Sequence, residues 1–351
     1  MIRKVEFTMK IAVDAMGGDN APQVIINGVE NARDQFKDIE FILFGNEEQI
    51  SPLIKDNSRL TIVNTTEEIS MGEEPVRAIR RKKDSSIVRA AQAVKEGTAD
   101  AFFSAGNTGA ILAAGIFIVG RIKGIDRPGL TSVLPVAQPG KQGHGFVYLD
   151  SGANAESKEK NMVQFAHLGR FYAKNVLKID NPRVALLNNG AEEDKGDQLH
   201  KDVYQDLKEQ QQLNFVGNIE AGDLLHGKAD VVVSDGWTAN AALKATEGSV
   251  RMMLTLIKDG ILNGGLRAKL GYLLLKPVFH KIGHLMNPSL YGGAVLLGLK
   301  APVVKAHGSA DVTAVAKTIE QIHTMINTKV IDQTVDFFGN EENIDNKGKL
   351  D

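Results

Sequence analysis

The sequence contains no cysteine among its 351 residues. The chain therefore has no disulfide, no thiolate metal ligand and no cysteine nucleophile, so any acyl transfer must pass through oxygen or nitrogen. A chain without cysteine also fits a reducing cytoplasm. The GxSxG pattern of a serine nucleophile elbow is absent as well. These absences disfavour an acyl-enzyme intermediate.

Neither an excess of charge nor a long apolar run is present. The 41 basic and 43 acidic residues leave a formal net charge of -2, so the chain has no overall attraction to nucleic acid. The longest apolar run, at about 110–120, ends at Arg121, whereas a membrane-spanning helix needs roughly 20 apolar residues. Residues 1–8 lack the pattern of a signal peptide, and we expect a short extension there. Together these features predict a cytoplasmic protein.

Alternating short apolar runs and amphipathic stretches indicate the fold class. With 43% hydrophobic residues, the chain can bury a large core. The alternation predicts an α/β fold with mostly parallel strands and crossover helices. We find no linker or repeat and predict one domain over 9–338, followed by a polar tail, 339–351. The predicted strands are 10–13, 39–45, 60–64, 99–103, 130–136, 146–149, 184–187, 214–217, 229–234 and 302–305.

Five polar turns that contain glycine follow predicted strands. Glycine allows tight turns, and free amides at a helix start attract phosphate. A single turn of this kind is more often a helix cap, but ligands in open α/β sheets bind beyond the carboxyl ends of strands. We therefore expect the five turns to share one anion-binding crevice. The candidate residues are Asp14, Gly17, Gly18, Asp19, Gly106, Asn107, Thr108, Gly109, Asp150, Asn154, Asn189, Lys195, Asp235, Gly236 and Asn240.

Lys195 lies in a loop, 188–197, that also carries Glu192, Glu193 and Asp194. One interpretation is a solvated, charged turn. The other is a phosphate ligand, because lysine is a compact cation whose charge its neighbours can adjust. We keep both alternatives and take Lys195 as the candidate cation of the crevice.

A short basic run, RRKK, occupies Arg80, Arg81, Lys82 and Lys83. Such a run is either a solvated helix face or a docking surface for an acidic partner. Because it precedes the 101–119 stretch closely in the chain, we take it as a candidate partner site.

Segment 249–300 mixes apolar residues with cations, which is typical of amphipathic helices. We predict a helical segment that faces either a second subunit or a membrane surface. The candidate membrane residues are Leu273, Leu274, Leu275 and Phe279. His280 and His284 are one helical turn apart, but no carboxylate partner or HExxH pattern accompanies them, so we predict no metal site.

Six motifs occur in a defined order: VDAMGGDNAP, RRKKDSS, SAGNTGA, LDSGAN, SDGWTAN and KAHGSAD. With them the chain closely resembles the bacterial PlsX family of phosphate acyltransferases, from about residue 9 to residue 338. The resemblance implies transfer of a long-chain fatty acyl group from acyl carrier protein to inorganic phosphate, which yields acyl phosphate for phospholipid synthesis. It adds His307, in the last motif, to the substrate-binding candidates.

The resemblance also implies an architecture and partners. It implies a three-layer α/β/α sandwich with a mixed, largely parallel sheet, similar to isopropylmalate dehydrogenase and phosphotransacetylase. It further implies a homodimer that works without a cofactor, lies peripherally at the inner face of the cell membrane and supplies a downstream glycerol-phosphate acyltransferase.

Transfer from a thioester to phosphate requires the phosphate held beside the carbonyl and donors for the developing oxyanion. We predict direct attack by phosphate, with Asn107 and Asn240 as donors and Lys195 at the phosphate or the leaving thiolate. Asp235 is expected to orient Asn240 or Lys195. Two alternatives remain: a phosphotransacetylase that uses coenzyme A, and a non-catalytic membrane scaffold that binds carrier protein.

Overall fold

A computed structural model describes residues 9–137, 145–285 and 288–339. The predicted extension 1–8, the loop around His144 and the tail beyond residue 339 lie outside this part of the chain. The strands are β1 (Met9–Asp14), β2 (Ile39–Gly45), β3 (Leu60–Asn64), β4 (Ala101–Ser104), β5 (Gly129–Pro135), β6 (Gly145–Leu149), β7 (Arg183–Asn188), β8 (Asn214–Glu220), β9 (Val231–Val233), β10 (Ala294–Leu297) and β11 (Val303–Lys305).

All of these strands belong to one eleven-stranded sheet, in the order β3-β2-β1-β4-β11-β10-β5-β6-β9-β7-β8. Pairing is parallel except where β10 meets β11 and β5, and where β5 meets β6. The prediction of a mixed, largely parallel sheet is confirmed.

The antiparallel pairs reverse the direction of half of the sheet. β1, β4 and β11 run in one direction, whereas β6, β9 and β7 run in the opposite direction. The reversal arises because the three pairings between these sets, β11 with β10, β10 with β5 and β5 with β6, are all antiparallel. We call the edge where β1, β4 and β11 end the first edge. The edge where β6, β7 and β9 end is the second edge.

Helices cover both faces of the sheet. They are α1 (Gln23–Gln35), α2 (Glu47–Ile50), α3 (Pro75–Arg81), α4 (Ser86–Lys95), α5 (Thr108–Ala114), α6 (Glu159–Asn175), α7 (Gln198–Glu209), α8 (Gly236–Asn263), α9 (Gly265–Leu285), α10 (Val312–Asn327) and α11 (Val330–Gly339). A short π-helical turn, Gly115–Val119, continues α5. Side-chain caps fix several starts: Asp197, Asp235 and Asp311 accept backbone N–H bonds at the first turns of α7, α8 and α10.

One face of the sheet has a continuous core and the other does not. On the first face, α1, α6, α7, α10 and α11 contribute to a single large apolar cluster. On the opposite face, one cluster lies under α3, α4 and α5 and a second lies at the start of α8. The central strands β11, β10 and β5 run between these two smaller clusters.

The structure corrects the interpretation of segment 249–300. Its helices end at Leu285, and β10, a central strand, follows. The run AVLL in β10 is short and continuously apolar, and such a run has no periodicity to separate a buried strand from a buried helix. Helix α2 is short, and Pro52 lies in the 3₁₀ turn that follows it.

Helices α8 and α9 pack as a hairpin with many apolar side chains in solvent. Leu273, Leu274 and Leu275 are 68%, 81% and 51% exposed, whereas Phe279 is half-buried and stacks against Tyr272. Trp237, near the start of α8, is 71% exposed. Within the described ranges, no helix combines the length and apolar character needed to cross a bilayer.

Candidate active site

At the first edge, Asp14 forms the base of the turn after β1. Its side chain is buried, and its carboxylate accepts hydrogen bonds from the Ser104 hydroxyl at 2.5 Å and the Met16 amide at 3.1 Å. Burial raises the pKa of Asp14, and the bonds from Ser104 and Ser86 oppose that rise. A Cβ on Gly17 would collide with this carboxylate, so glycine is what lets the loop close over Asp14. Asp14 therefore supports the loop rather than facing a ligand.

The side-chain amide of Asn107 is fully used in hydrogen bonds within the protein. Its Oδ1 accepts the Ala110 amide at 3.0 Å and caps α5. Its Nδ2 donates to the carbonyls of Ser70, Met71 and Glu73 at 3.0–3.2 Å. Since a side-chain amide has only two N–H donors, none remains for a substrate. The predicted oxyanion donor is instead a positioning residue that ties the 70–73 loop to α5.

The other first-edge candidates form the rim of the same turns. The Asp19 amide donates to the Gly308 carbonyl at 2.8 Å, which joins the first loop to the turn after β11. Gly18 adopts φ +116° there, a conformation that favours glycine. Thr108 and His307 are exposed. Gly106 and Gly109 let neighbouring residues approach the turn after β4 closely. A Cβ on Gly109, for example, would collide with Pro75.

At the second edge, Asp150 organises the turn after β6. It is fully buried, and its two oxygens accept the amides of Leu130, Gly152, Ala153 and Asn154 at 2.9–3.1 Å. The Asn154 side chain donates to Asp150 and to the Pro128 carbonyl. Asp150 and Asn154, predicted as substrate ligands, thus hold the turn in shape.

The same buried turn receives α8. A Cβ on Gly236 would collide with the Asn154 carbonyl, so glycine lets the start of α8 approach this turn. The side chain of Asn240 lies over Gly152. Asn240 is exposed and has no hydrogen-bond partner within the described part of the chain, so its amide is available to a ligand.

Asp235 faces a histidine that sequence reasoning missed. Its Oδ1 accepts the amides of Trp237 and Thr238, and its Oδ2 lies 3.8 Å from His200 Nε2. His200 Nδ1 lies 2.7 Å from Asp197 Oδ1. The prediction that Asp235 orients Asn240 or Lys195 is therefore replaced by a contact with His200.

Lys195 remains accessible at the second edge. Its side chain is 45% exposed, and the nearest carboxylate oxygen recorded for it, Glu192 Oε2, is 3.9 Å away. The loop is fixed by Asn188, which donates to the Lys195 carbonyl and to Asn218. Asn189 is exposed in the same loop. The surrounding amides thus hold the loop, while the ammonium group stays free to move toward an anion.

The expectation of one crevice shared by all five turns is wrong within a single chain. Turns after β1 and β4 lie at the first edge, and turns after β6, β7 and β9 lie at the second. β4 and β6 are also four strand spacings apart in the order β4-β11-β10-β5-β6, which is about 19 Å. Asn107 therefore does not converge with Lys195 and Asn240.

A strip of partly exposed side chains lies between the two smaller clusters on one face of the sheet. Within it, Lys305, Ala294 and Ser132 are partly exposed, whereas Val304, Val295 and Thr131 on the other face are buried. We call this strip of β11, β10 and β5 the central groove. The strand register places six side chains in one row, which crosses the central groove and continues onto β1, β4 and β6. In order, they are Asp14, Ser104, Lys305, Ala294, Ser132 and Tyr148.

The basic run beside the first edge is only partly free. Lys82 Nζ contacts Glu73 Oε1 at 2.7 Å and the Glu68 carbonyl at 2.6 Å. The bond from Lys82 keeps the pKa of Glu73 below its usual value. Arg80 and Arg81 are exposed and pair with no carboxylate in the described ranges. Lys83 donates to the Ile79 carbonyl. The accessible part of the patch therefore consists of the two arginines and Lys83, which is also exposed.

No cluster of three or more His, Asp or Glu side chains in the described ranges is arranged to hold a metal ion.

Comparison with known proteins identifies a family and close relatives. Residues 9–333 match the family described as fatty acid synthesis protein. A phosphate acyltransferase of Limosilactobacillus reuteri is 76% identical over 97% of this chain and 99% of its own length. One from Latilactobacillus sakei is 56% identical over 95% and 98%.

Solved structures share the fold at low identity. A phosphotransacetylase from Streptococcus pyogenes superposes with a TM-score of 0.59 at 16% identity, covering 93% of this chain and 94% of that one. A branched-chain phosphotransacylase from Enterococcus faecalis gives 0.58 at 14%, covering 91% and 99%. These likenesses support the α/β/α architecture. From the family match and the close relatives, the chain belongs to the PlsX family of phosphate acyltransferases and is an acyltransferase.

Proposed function

We propose that this enzyme transfers a long-chain fatty acyl group from acyl carrier protein to inorganic phosphate and forms acyl phosphate for phospholipid synthesis. The observation that carries the proposal is the second edge, where Lys195 and Asn240 follow neighbouring strands and both have accessible polar groups. Phosphate is already an anion at neutral pH, so catalysis rests on positioning and electrostatic stabilisation.

In this proposal the phosphate oxygen attacks the thioester carbonyl directly. The C–S bond breaks as the C–O bond forms, and the thiolate leaves and takes up a proton. Lys195 neutralises the phosphate or the departing sulfur, and the Asn240 amide donates to the oxyanion. Asp235 contributes by capping α8 and contacting His200. Asn107 is no longer one of the donors, because its amide is occupied.

Two variants test this site. Lys195→Ala should abolish acyl phosphate formation, and Asn240→Ala should lower turnover by roughly a hundredfold, since losing one preorganised donor costs about 3–4 kcal/mol. Lys201→Ala, at an exposed lysine of α7, is the matched control and should retain activity. Near-normal turnover by Lys195→Ala, or an acyl group found covalently on the protein by mass spectrometry, would contradict the mechanism.

A second candidate donor is a coenzyme A thioester, which the likeness to phosphotransacetylase structures favours. Turnover of palmitoyl carrier protein beside acetyl-coenzyme A separates the two, and we expect the carrier-protein substrate to be preferred. If the carrier-protein thioester is lost at the same rate with and without phosphate, phosphate is not the acyl acceptor and the proposal fails.

The exposed arginines of α3 suit acyl carrier protein, an acidic partner. Charge complementarity speeds encounter and weakens with salt. The double variant Arg80→Glu, Arg81→Glu should therefore lower carrier-protein affinity and flatten its salt dependence. Lys82 is excluded from this test because its ion pair with Glu73 supports the fold. Unchanged affinity and salt dependence would leave the patch as a solvated helix face.

The apolar hairpin of α8 and α9 suits a homodimer interface and peripheral contact with the inner face of the cell membrane. Around α9, Arg267, Lys269, Lys276 and Lys281 accompany the exposed leucines, a composition that favours anionic lipid. Sedimentation should give a dimer. Flotation with anionic liposomes should be lost in Leu274→Glu and kept in Leu274→Met. If Leu274→Glu still floats, the hairpin serves only the dimer.

A further inference from the structure

The central groove contains Lys305, a lysine that has no role in the proposed reaction. Lys305 is the last residue of β11 and pairs in register with Ser104 on β4 and Ala294 on β10. Its neighbour Val304 points into the large core and is fully buried. Because side chains alternate along a strand, Lys305 points to the opposite face, where Ala294 and Ser132 in the same row are also partly exposed.

Lys305 lacks a counterion. It is half-buried, yet it makes no ion pair or side-chain hydrogen bond with any residue in the described ranges. Burial, reinforced by the positive charge of Lys244, lowers the pKa of Lys305. Lys244 itself is paired with Glu247 at 2.9 Å. A partly desolvated ammonium without an acceptor is costly, and proteins usually pair such charges.

The nearest carboxylate along the row does not supply the missing charge. Asp14 is two strands away, about 10 Å, and it is engaged by Ser104 and Met16. Burial raises the pKa of Asp14. Ser104 lies between the two, and it already donates its proton to Asp14. No side chain of this row therefore supplies a negative charge to the Lys305 ammonium group.

We propose that Lys305 binds a phosphoryl anion on the floor of the central groove, as a second anion position beside the Lys195 loop. The proposal rests on the proposed function, which brings two such groups to the enzyme. One is inorganic phosphate, and the other is the phosphodiester of the pantetheine arm that carries the acyl group. β11 and β6 are three strand spacings apart, about 14 Å.

Binding without turnover is the first test. Titration calorimetry with inorganic phosphate and with phosphopantetheine should give at least one ligand that binds wild type about tenfold or more tightly than Lys305→Gln, the loss expected for a charge-assisted hydrogen bond. Lys305→Arg should retain most of the affinity. Lys300→Gln, at an exposed lysine near the other end of the groove strands, is the matched control and should bind as wild type does. Equal binding of both ligands by wild type and Lys305→Gln would overturn the proposal.

Steady-state kinetics then distinguish the two sources. A raised KM for phosphate with an unchanged KM for the acyl donor assigns the position to inorganic phosphate. A raised KM for acyl carrier protein that disappears with an acyl-pantetheine lacking the phosphate assigns it to the phosphodiester. If wild type forms no acyl phosphate at all, the proposed function fails. The difference in ligand affinity between wild type and Lys305→Gln, measured by calorimetry, still tests whether Lys305 binds a phosphoryl anion.

Stability supplies a control on folding. In phosphate-free buffer, Lys305→Gln should melt at the same temperature as wild type or higher, because the unpaired charge is gone. The ligand identified by calorimetry should then raise the melting temperature of wild type but not of Lys305→Gln. A strong fall in the melting temperature of the variant in phosphate-free buffer would show that the ammonium is already satisfied within the protein, and would refute the proposal.

Discussion

Replacing Asn107 by alanine should damage stability rather than chemistry. The cap on the Ala110 amide contributes about 1 kcal/mol, and each of the two amide hydrogens that hold the 70–73 carbonyls contributes about 1 kcal/mol. Because the side chain is only 5% exposed, water replaces these bonds poorly. We therefore expect Asn107→Ala to lose about 3 kcal/mol of unfolding free energy, measured by urea titration with circular dichroism.

A second variant separates the cap from the tether. Asn107→Asp keeps an oxygen for the Ala110 amide but presents no donor to the carbonyls of Ser70, Met71 and Glu73. Hydrogen exchange should therefore accelerate in the 70–73 loop of both variants, whereas the Ala110 amide should lose protection only in Asn107→Ala.

The control for this prediction is Asn240→Ala, whose side chain makes no hydrogen bond in the described chain. It should unfold within about 0.5 kcal/mol of wild type while losing turnover. If instead Asn107→Ala keeps wild-type stability and turnover falls a hundredfold, Asn107 touches the substrate and the positioning role is refuted.

Two further predictions concern pH and packing. Burial lowers the pKa of His167 to about 4, below the roughly 6.5 of an unfolded chain. Only the unfolded state then binds the proton, so stability falls by about 3 kcal/mol as pH drops from 6.5 to 4, and His167→Gln should flatten that part of the pH profile. An identical profile in the variant would refute the assignment. A Cβ on Gly236 meets the Asn154 carbonyl, whereas one on Gly248 meets nothing within 4 Å. Gly236→Ala should thus cost about 1–3 kcal/mol, and Gly248→Ala should stabilise α8 by up to about 1 kcal/mol. Equal midpoints in urea would contradict that packing.

Local signals determined much of this protein. The absence of cysteine excluded a cysteine acyl-enzyme, and the strand and helix patterns predicted the α/β class. Aspartates placed before apolar stretches became the caps of α7, α8 and α10. The ordered motifs indicated the family that the comparisons confirm. Each of these features depends on residues that are close in sequence, so one chain is enough to detect them.

Strand direction and register were decided only by the tertiary structure. The run AVLL became β10 because it pairs with β11 and β5, and those antiparallel pairs sent Asn107 and Asn240 to opposite edges. Contacts between distant parts of the chain place His200 near Asp235 and Lys305 beside Ser104. Pairing free energy comes from whole strands that meet across the sheet, and the sequence near any one of these residues does not encode it.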